Sequence, residues 1–387
     1  MQDLPFIVGK PATGDYFVNR EKELQRLLSL AKGLEKGSSS NAVLVGLRRT
    51  GKTSILQNLV LNLEPSRKII PVMINCYGMT SKSRFAKLVV DNALANYVTK
   101  ANDSAYKDRI LKLFSQKAKA AKEILSEVRF SEFTLKIRDS KTDEDALIED
   151  SLSYVESLAE DKHAYFVMIL DEFQDILKWG DDTLKRIRTL IQDQKRICYI
   201  LSGSATTVMH DLVYDHRSPF YRQFLEIQVK KLPSEVVHDF VRDRFSSVHV
   251  KIGENELNKI VTYCEGYPDY VQRIGLELYL SLGSNRSITE PQVDKAYEDI
   301  ILGLDGEFEN YFAAFSPLDK ELLIAIATGK IRASEIAREV RKPIANISKN
   351  LTILLNYGVV ERPLAGQYRM MDPVFNDWLS RRFRPHE

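Results

Sequence analysis

Residues 42–63 read AVLVGLRRTGKTSILQNLVLNL, and the fold turns on how this stretch is read. It opens on a short apolar run ending at Gly46, the pattern of a strand buried on both faces. GLRRTGKT at 46–53 then fits G-x-x-x-x-G-K-[ST] at every fixed position. SILQNLVLNL follows with helical spacing. Strand, glycine loop and helix in register make a phosphate loop. Gly46 and Gly51 let the backbone curl, so that successive N–H groups and the positive end of the helix face an anion. Lys52 is expected to reach the β- and γ-phosphates of ATP, and the Thr53 hydroxyl to ligate Mg²⁺. Leu47, Arg48, Arg49, Thr50 and Ser54 complete the expected phosphate cradle. Whether Arg48 and Arg49 point to solvent or to a partner's phosphates is left open by the sequence.

Working outward, four more β-branched runs stand at 69–76, 165–171, 197–203 and 224–230. Helix-periodic segments separate most of them, which implies an α/β fold with a parallel sheet. The third run ends Met168-Ile-Leu-Asp171-Glu172, about 120 residues after the phosphate loop. Ligands bind at the carboxyl ends of strands in such sheets. Asp171 is therefore expected in the Mg²⁺ shell and Glu172 beside the attacking water. Gln174 is a weaker candidate near the γ-phosphate. The fourth run ends Leu201-Ser-Gly-Ser204 and is expected between the two motif strands. Its tip offers Ser204, or in its place Ser202, as a γ-phosphate sensor.

The chain has 387 residues, 44% hydrophobic and 28% charged, with a net charge of +2. That balance excludes a generally basic polymer binder and an acidic disordered chain. No apolar run approaches the ~18 residues of a membrane span. No secretory leader is visible, so a cytoplasmic location is expected. Cys76, Cys198 and Cys264 read as reduced, buried thiols, and the histidines lack metal-like spacing. The segment 78–162 reads as a helical insertion, basic around Lys107–Lys122 and acidic later, with a possible small strand at 133–137. Its plain reading is a solvated insertion rather than a binding arm.

Taken together, GLRRTGKTS at 46–54, VMILDEFQDI at 167–176 and YILSGSATTVM at 199–209 resemble the AAA+/STAND group of P-loop ATPases. More closely, they resemble its predominantly archaeal family with a C-terminal winged helix. The opening Phe17-Val-Asn-Arg20-Glu21, the Gly266-Tyr-Pro268 turn, and Asp372, Pro373, Phe375 and Trp378 near the C-terminus carry the same likeness. The resemblance implies that Phe17 and Arg20 line the adenine and ribose, and that Pro268 packs near the adenine. Two departures stand out. Asn19 occupies a usual glycine. The segment 218–223 (SPFYRQ) resembles S-P-L-Y-G-R with its arginine one residue early, so Arg222 competes with Arg217 as an arginine finger.

The expected domains are a P-loop ATPase domain over 1–232, a helical lid over 233–314 and a winged helix over 315–387. In the last, 334–340 and 344–356 read as helix-turn-helix and 359–371 as a wing. Residues 316–387 hold a local excess of +4, against +2 for the whole chain. Basic charge gives sequence-independent affinity for duplex DNA, here placed at 330–370. The competing use of such a module is contact with a protein partner or within a homo-oligomer. The leading expectation is an ATPase acting as a conformational switch. The alternatives are a DNA-binding regulator or origin-recognition-like protein with mainly structural nucleotide, and a protein-interaction module without DNA.

Overall fold

Five strands form one parallel sheet: β1 (Asn41–Val45), β2 (Ile69–Asn75), β3 (Tyr165–Asp171), β4 (Ile197–Gly203) and β5 (Phe224–Gln228). Their order is β2-β3-β4-β1-β5, which places β4 between the phosphate-loop strand and the Asp171 strand, as expected. The computed structural model describes residues 4–102, 106, 143–283 and 286–384. The basic run from Lys107, the segment 133–137 and His386 lie outside the described residues.

Side-chain alternation divides the sheet between two apolar cores. Val43, Ile70, Met168 and Leu201 face one side; Leu44, Ile69, Ile169 and Ile200 face the other. Helices α1 (Glu21–Gly33) and α2 (Lys52–Leu63) cover the second side with Leu27, Leu56 and Leu59. The first side is covered by α3 (Lys82–Ala101), α4 (Glu144–Asp161), α5 (Asp181–Asp193) and α6 (Thr206–Tyr214). This differs from the solvated reading of 78–162. Its two ends, α3 and α4, are core helices that bury Phe85, Val89, Leu152 and Val155.

A helical layer follows: α7 (Ser234–Ser247), α8 (Glu254–Cys264), α9 (Pro268–Leu280), α10 (Glu290–Gly303) and α11 (Asp305–Ala313). Then come α12 (Pro317–Ala327), α13 (Ala333–Glu339) and α14 (Ile344–Asn356), an antiparallel pair β6 (Val360–Glu361) and β7 (Arg369–Met370), and α15 (Pro373–Phe383). Ser316 caps α12 by accepting from the Asp319 N–H. Pro343 stands at the N-cap of α14. The amphipathic pattern of α14 buries Ile347, Leu351 and Leu354 and leaves Ile344 and Ile353 outside.

The C-terminal helix α15 returns to this helical layer. Phe375 and Trp378 pack on Phe308, and Trp378 Nε1 donates to Asp305 at 2.7 Å. One apolar core therefore runs from Leu232 through Leu379 without a break. Phe6, far away in sequence, plugs the same core between Phe240 and Phe245. Only a glycine at 275 leaves room for it, since a Cβ there would stand 2.5 Å from the Phe6 ring. Gly275→Ala is expected to expel Phe6 at a cost of about 1–3 kcal/mol. Limited proteolysis should then cleave the N-terminal segment much faster than in the native chain. Unchanged cleavage would refute this packing role.

Candidate functional site

Gly51 caps α2 in the left-handed region, at φ 92°. Gly46 has no room for a side chain, because a Cβ would lie 2.4 Å from the Val229 carbonyl oxygen. Thr50 is buried and its hydroxyl donates to the Leu47 carbonyl at 2.8 Å. Between them, Lys52 is 4% exposed and its Nζ donates to the carbonyls of Gly46 and Leu47 at 2.9 and 2.8 Å. Burial lowers the lysine's pKa from its ordinary value, and the nearby Glu172 and Asp171 carboxylates oppose that shift.

The two motif strands meet through Thr53, whose hydroxyl donates to Asp171 Oδ2 at 2.8 Å. One hydroxyl and one carboxylate suit Mg²⁺, a hard cation that takes its remaining ligands from water and phosphate.

Glu172 stands in the left-handed region at φ 55°, an uncommon conformation for a non-glycine residue. Such strain concentrates at functional sites. Its Oε2 accepts from Ser204 Oγ at 2.9 Å and from Gln174 Nε2. Gln174 Oε1 in turn accepts from the Ser204 N–H at 3.3 Å. Gly203 leaves the space that Gln174 fills: a Cβ there would lie 2.7 Å from Gln174 Oε1. Of the two serines weighed, Ser204 stands beside Glu172. Ser202 is fully buried in the sheet, and its hydroxyl meets no hydrogen-bond partner among the described residues.

A cavity of about 330 Å³ opens on the loop. Arg48 to Ser54 and Glu172 line one side, Phe17 and Val18 another, and Pro268, Val271 and Gln272 of α9 a third. The N-terminal segment is stitched over it. The Ala12 N–H donates to Ser54 Oγ, Asn58 Nδ2 to the Ala12 carbonyl, and the Ile7 N–H to Gln272 Oε1. Arg20 reaches the cavity edge, but its guanidinium donates to the carbonyls of Thr50 and Lys230. It props the loop from behind instead of presenting itself to a ribose. Gly46 and Leu47 lie outside this lining; Leu47 faces the C-terminal region, 3.2 Å from where a Cβ on Gly358 would stand.

Arg49 answers part of the question left open by the sequence. Its guanidinium, 9% exposed, donates to Asp269 at 3.0 Å and Glu307 at 2.6 Å, lies 3.8 Å from Asp372, and packs over the Tyr270 ring. Arg222 lines none of these walls; its guanidinium lies over the adjacent Tyr221 ring. Its φ is 56°, so residue 222 holds the left-handed place where S-P-L-Y-G-R carries glycine. Gln223 then stands at the arginine of that pattern. Asn19 likewise has φ 55°, and asparagine is among the few residues that replace glycine there at low cost. Arg217 pairs with Asp215 at 2.7 Å on the surface.

Several cavity residues went unread in the sequence: Gln272, Arg273, Asp269 and Glu307. Only Gln272 and Arg273 carried a signal, lying one helical turn beyond the Gly-Tyr-Pro turn.

Residues 17–274 match the model of an ATPase domain predominantly from Archaea. An uncharacterised HTH-type transcriptional regulator of Methanocaldococcus jannaschii is 21% identical over 378 residues, 92% of this chain and 87% of the relative. Among solved structures, the Walker-type ATPase Paby2304 of Pyrococcus abyssi aligns with a TM-score of 0.68 at 20% identity, covering 97% of this chain and 99% of that one. The Aeropyrum pernix ORC1 protein, solved in complex with DNA, aligns at 0.53 and 15% identity, covering 95% and 94%. At those identities the structural likenesses establish the fold alone. The domain match takes in all five strands of the parallel sheet and the acid-bearing end of β3, and the chain belongs to this archaeal ATPase family.

Proposed function

We propose that the chain is a Mg²⁺-dependent ATP hydrolase that works as a conformational switch on a DNA-docking module. The reading rests above all on the Thr53–Asp171 hydrogen bond, which joins the phosphate loop to the acid pair at one end of the sheet. Lys52 and the loop amides would hold the phosphates, with Thr53 and Asp171 as protein ligands to Mg²⁺. Bound there, the metal supplies charge neutralisation at the phosphates. Glu172, oriented by Ser204 and Gln174, would hold the attacking water. Phe17 and Pro268 would wall the base.

Residues 1–232 form the proposed ATPase domain, 233–314 the lid and 315–387 a winged helix. Arg49 bonds the loop to lid residue Asp269 and stands beside Asp372, while Leu47 and Gly358, just beyond α14, line one small cleft. A loop that shifts on binding ATP would thus pull on both. The switch needs ATP to bind the two lid states with different affinity.

Duplex DNA is the proposed partner, through the exposed side of α14 and the basic residues Arg338, Arg341, Lys342 and Arg362. The regulator-like relative and the DNA complex of ORC1 support this choice. A protein partner is favoured by one feature: the outer side of α14 offers Lys349 as its cation beside exposed Ile353. Phosphate release by the full chain, with and without duplex DNA, tests both. The expected result is Mg²⁺-dependent turnover, changed by DNA, together with a gel shift that weakens as salt rises. Turnover with no shift at low salt would overturn the DNA half and leave the protein partner. No turnover would overturn the hydrolase.

A further inference from the structure

The phosphate loop carries two adjacent arginines, and their surroundings differ. Arg49 is committed: it is buried, bonded to two carboxylates and enclosed by Tyr270 and Phe308. Arg48 is loosely held. Its side chain is 52% exposed, 3.5 Å from a Glu307 oxygen that already accepts from Arg49, and 5.6 Å from the Tyr311 ring centre. Beyond Glu172 a second cleft of about 730 Å³ opens, bounded by Gln174, Ser204, Tyr311, Phe315 and Tyr357. Two residues line both this cleft and the phosphate-loop cavity: Arg48 and Glu172. They flank the passage between the two cavities. No other arginine reaches that passage among the described residues. Arg273 lines the inner cavity alone and donates to Asp269 at 2.8 Å. The outer approach to Glu172 is walled by Tyr311, Phe315 and Tyr357 of this same chain.

We propose that Arg48 is a catalytic arginine supplied in cis from within the phosphate loop. The assignment rests on the ATP-hydrolase reading above. The water oxygen bonds to the γ-phosphorus as the bond from that phosphorus to the β–γ bridging oxygen breaks. The electron pair of the broken bond stays on ADP, and the water proton passes to Glu172. Arg48 stays protonated throughout and neutralises charge gathering on the γ-phosphoryl oxygens.

The test uses the full chain with Arg48→Gln and Arg48→Lys. ADP affinity, measured by calorimetry, is expected to stay within about threefold, because Lys52 and the loop amides hold the β-phosphate. Turnover in Arg48→Gln should fall about 100-fold or more, and its preference for ADP–aluminium fluoride over ADP should fall by a similar factor. Arg48→Lys should recover part of both, since an ammonium keeps the charge but lacks the planar fork. Undiminished turnover or a retained analogue preference in Arg48→Gln overturns the assignment. Turnover restored on mixing Arg48→Gln with Glu172→Gln chains would place the arginine in trans and overturn it too. A native chain with neither phosphate release nor analogue preference sinks the hydrolase reading and this assignment with it.

Discussion

Replacing Lys52 with alanine is expected to weaken ATP and ADP binding by roughly 100-fold or more. The ammonium is nearly fully buried, and the loop carbonyls of Gly46 and Leu47 aim it across the loop. A desolvated, hydrogen-bonded charge facing an opposite charge is worth on the order of 2–5 kcal/mol when one partner is truncated. About 3 kcal/mol corresponds to somewhat more than two decades in affinity. The fold should persist, because the alanine leaves no charge behind and Gly51 still caps α2. Calorimetric titration with ADP, alongside a circular dichroism spectrum, checks both halves. Native-like affinity in Lys52→Ala would remove the lysine from the phosphate site.

Glu172→Gln should separate binding from chemistry. Glutamine keeps the volume and can still bond with Ser204 and Gln174, so the tip of β4 stays in place. It cannot accept the proton of the attacking water. General-base contributions of this kind run to roughly 10²–10⁴-fold. Single-turnover hydrolysis is therefore expected to drop on the order of 10³-fold while ATP affinity holds or rises. Hydrolysis at the native rate would show that another group takes the proton. The left-handed backbone at Glu172 adds a second expectation. An arrangement strained by about 1–3 kcal/mol is kept only where the surroundings over-determine it, here the hydrogen bonds from Ser204 and Gln174. Removing the Ser204 hydroxyl should thus slow turnover less than Glu172→Gln does, through a misplaced carboxylate.

Much of the site was legible in the chain because it depends on local rules. A glycine-bounded loop between an apolar strand and a helix has few conformations, so residues 46–54 announced their own geometry. The strand ending in Asp171-Glu172 did the same, and the two motifs together implied that the fourth strand lies between theirs. The serine at the tip of β4 was not decided locally. Ser202 and Ser204 are equivalent in composition, and they part only where the strand stops: Gly203 is its last residue, so Ser204 emerges into the site. The arginine at 222 was not decided locally for a related reason. A left-handed turn is set by backbone angles, and an arginine standing in it looks in the sequence like an arginine finger.

What the sequence alone determined was the pairing of a phosphate loop with an acid-tipped strand, and with it the parallel sheet and the class of ligand. Runs of a few residues encode those features through glycine freedom, apolar continuity and charge. Tertiary structure alone decided what surrounds them. Phe6 plugs a helical layer more than 200 residues away, α15 folds back to fuse the C-terminal region with that layer, and Asp269, Glu307 and Asp372 converge on Arg49 from two helices and the cap of a third. No window of sequence carries such information, because carboxylates on distant turns become neighbours only when apolar surfaces elsewhere have packed.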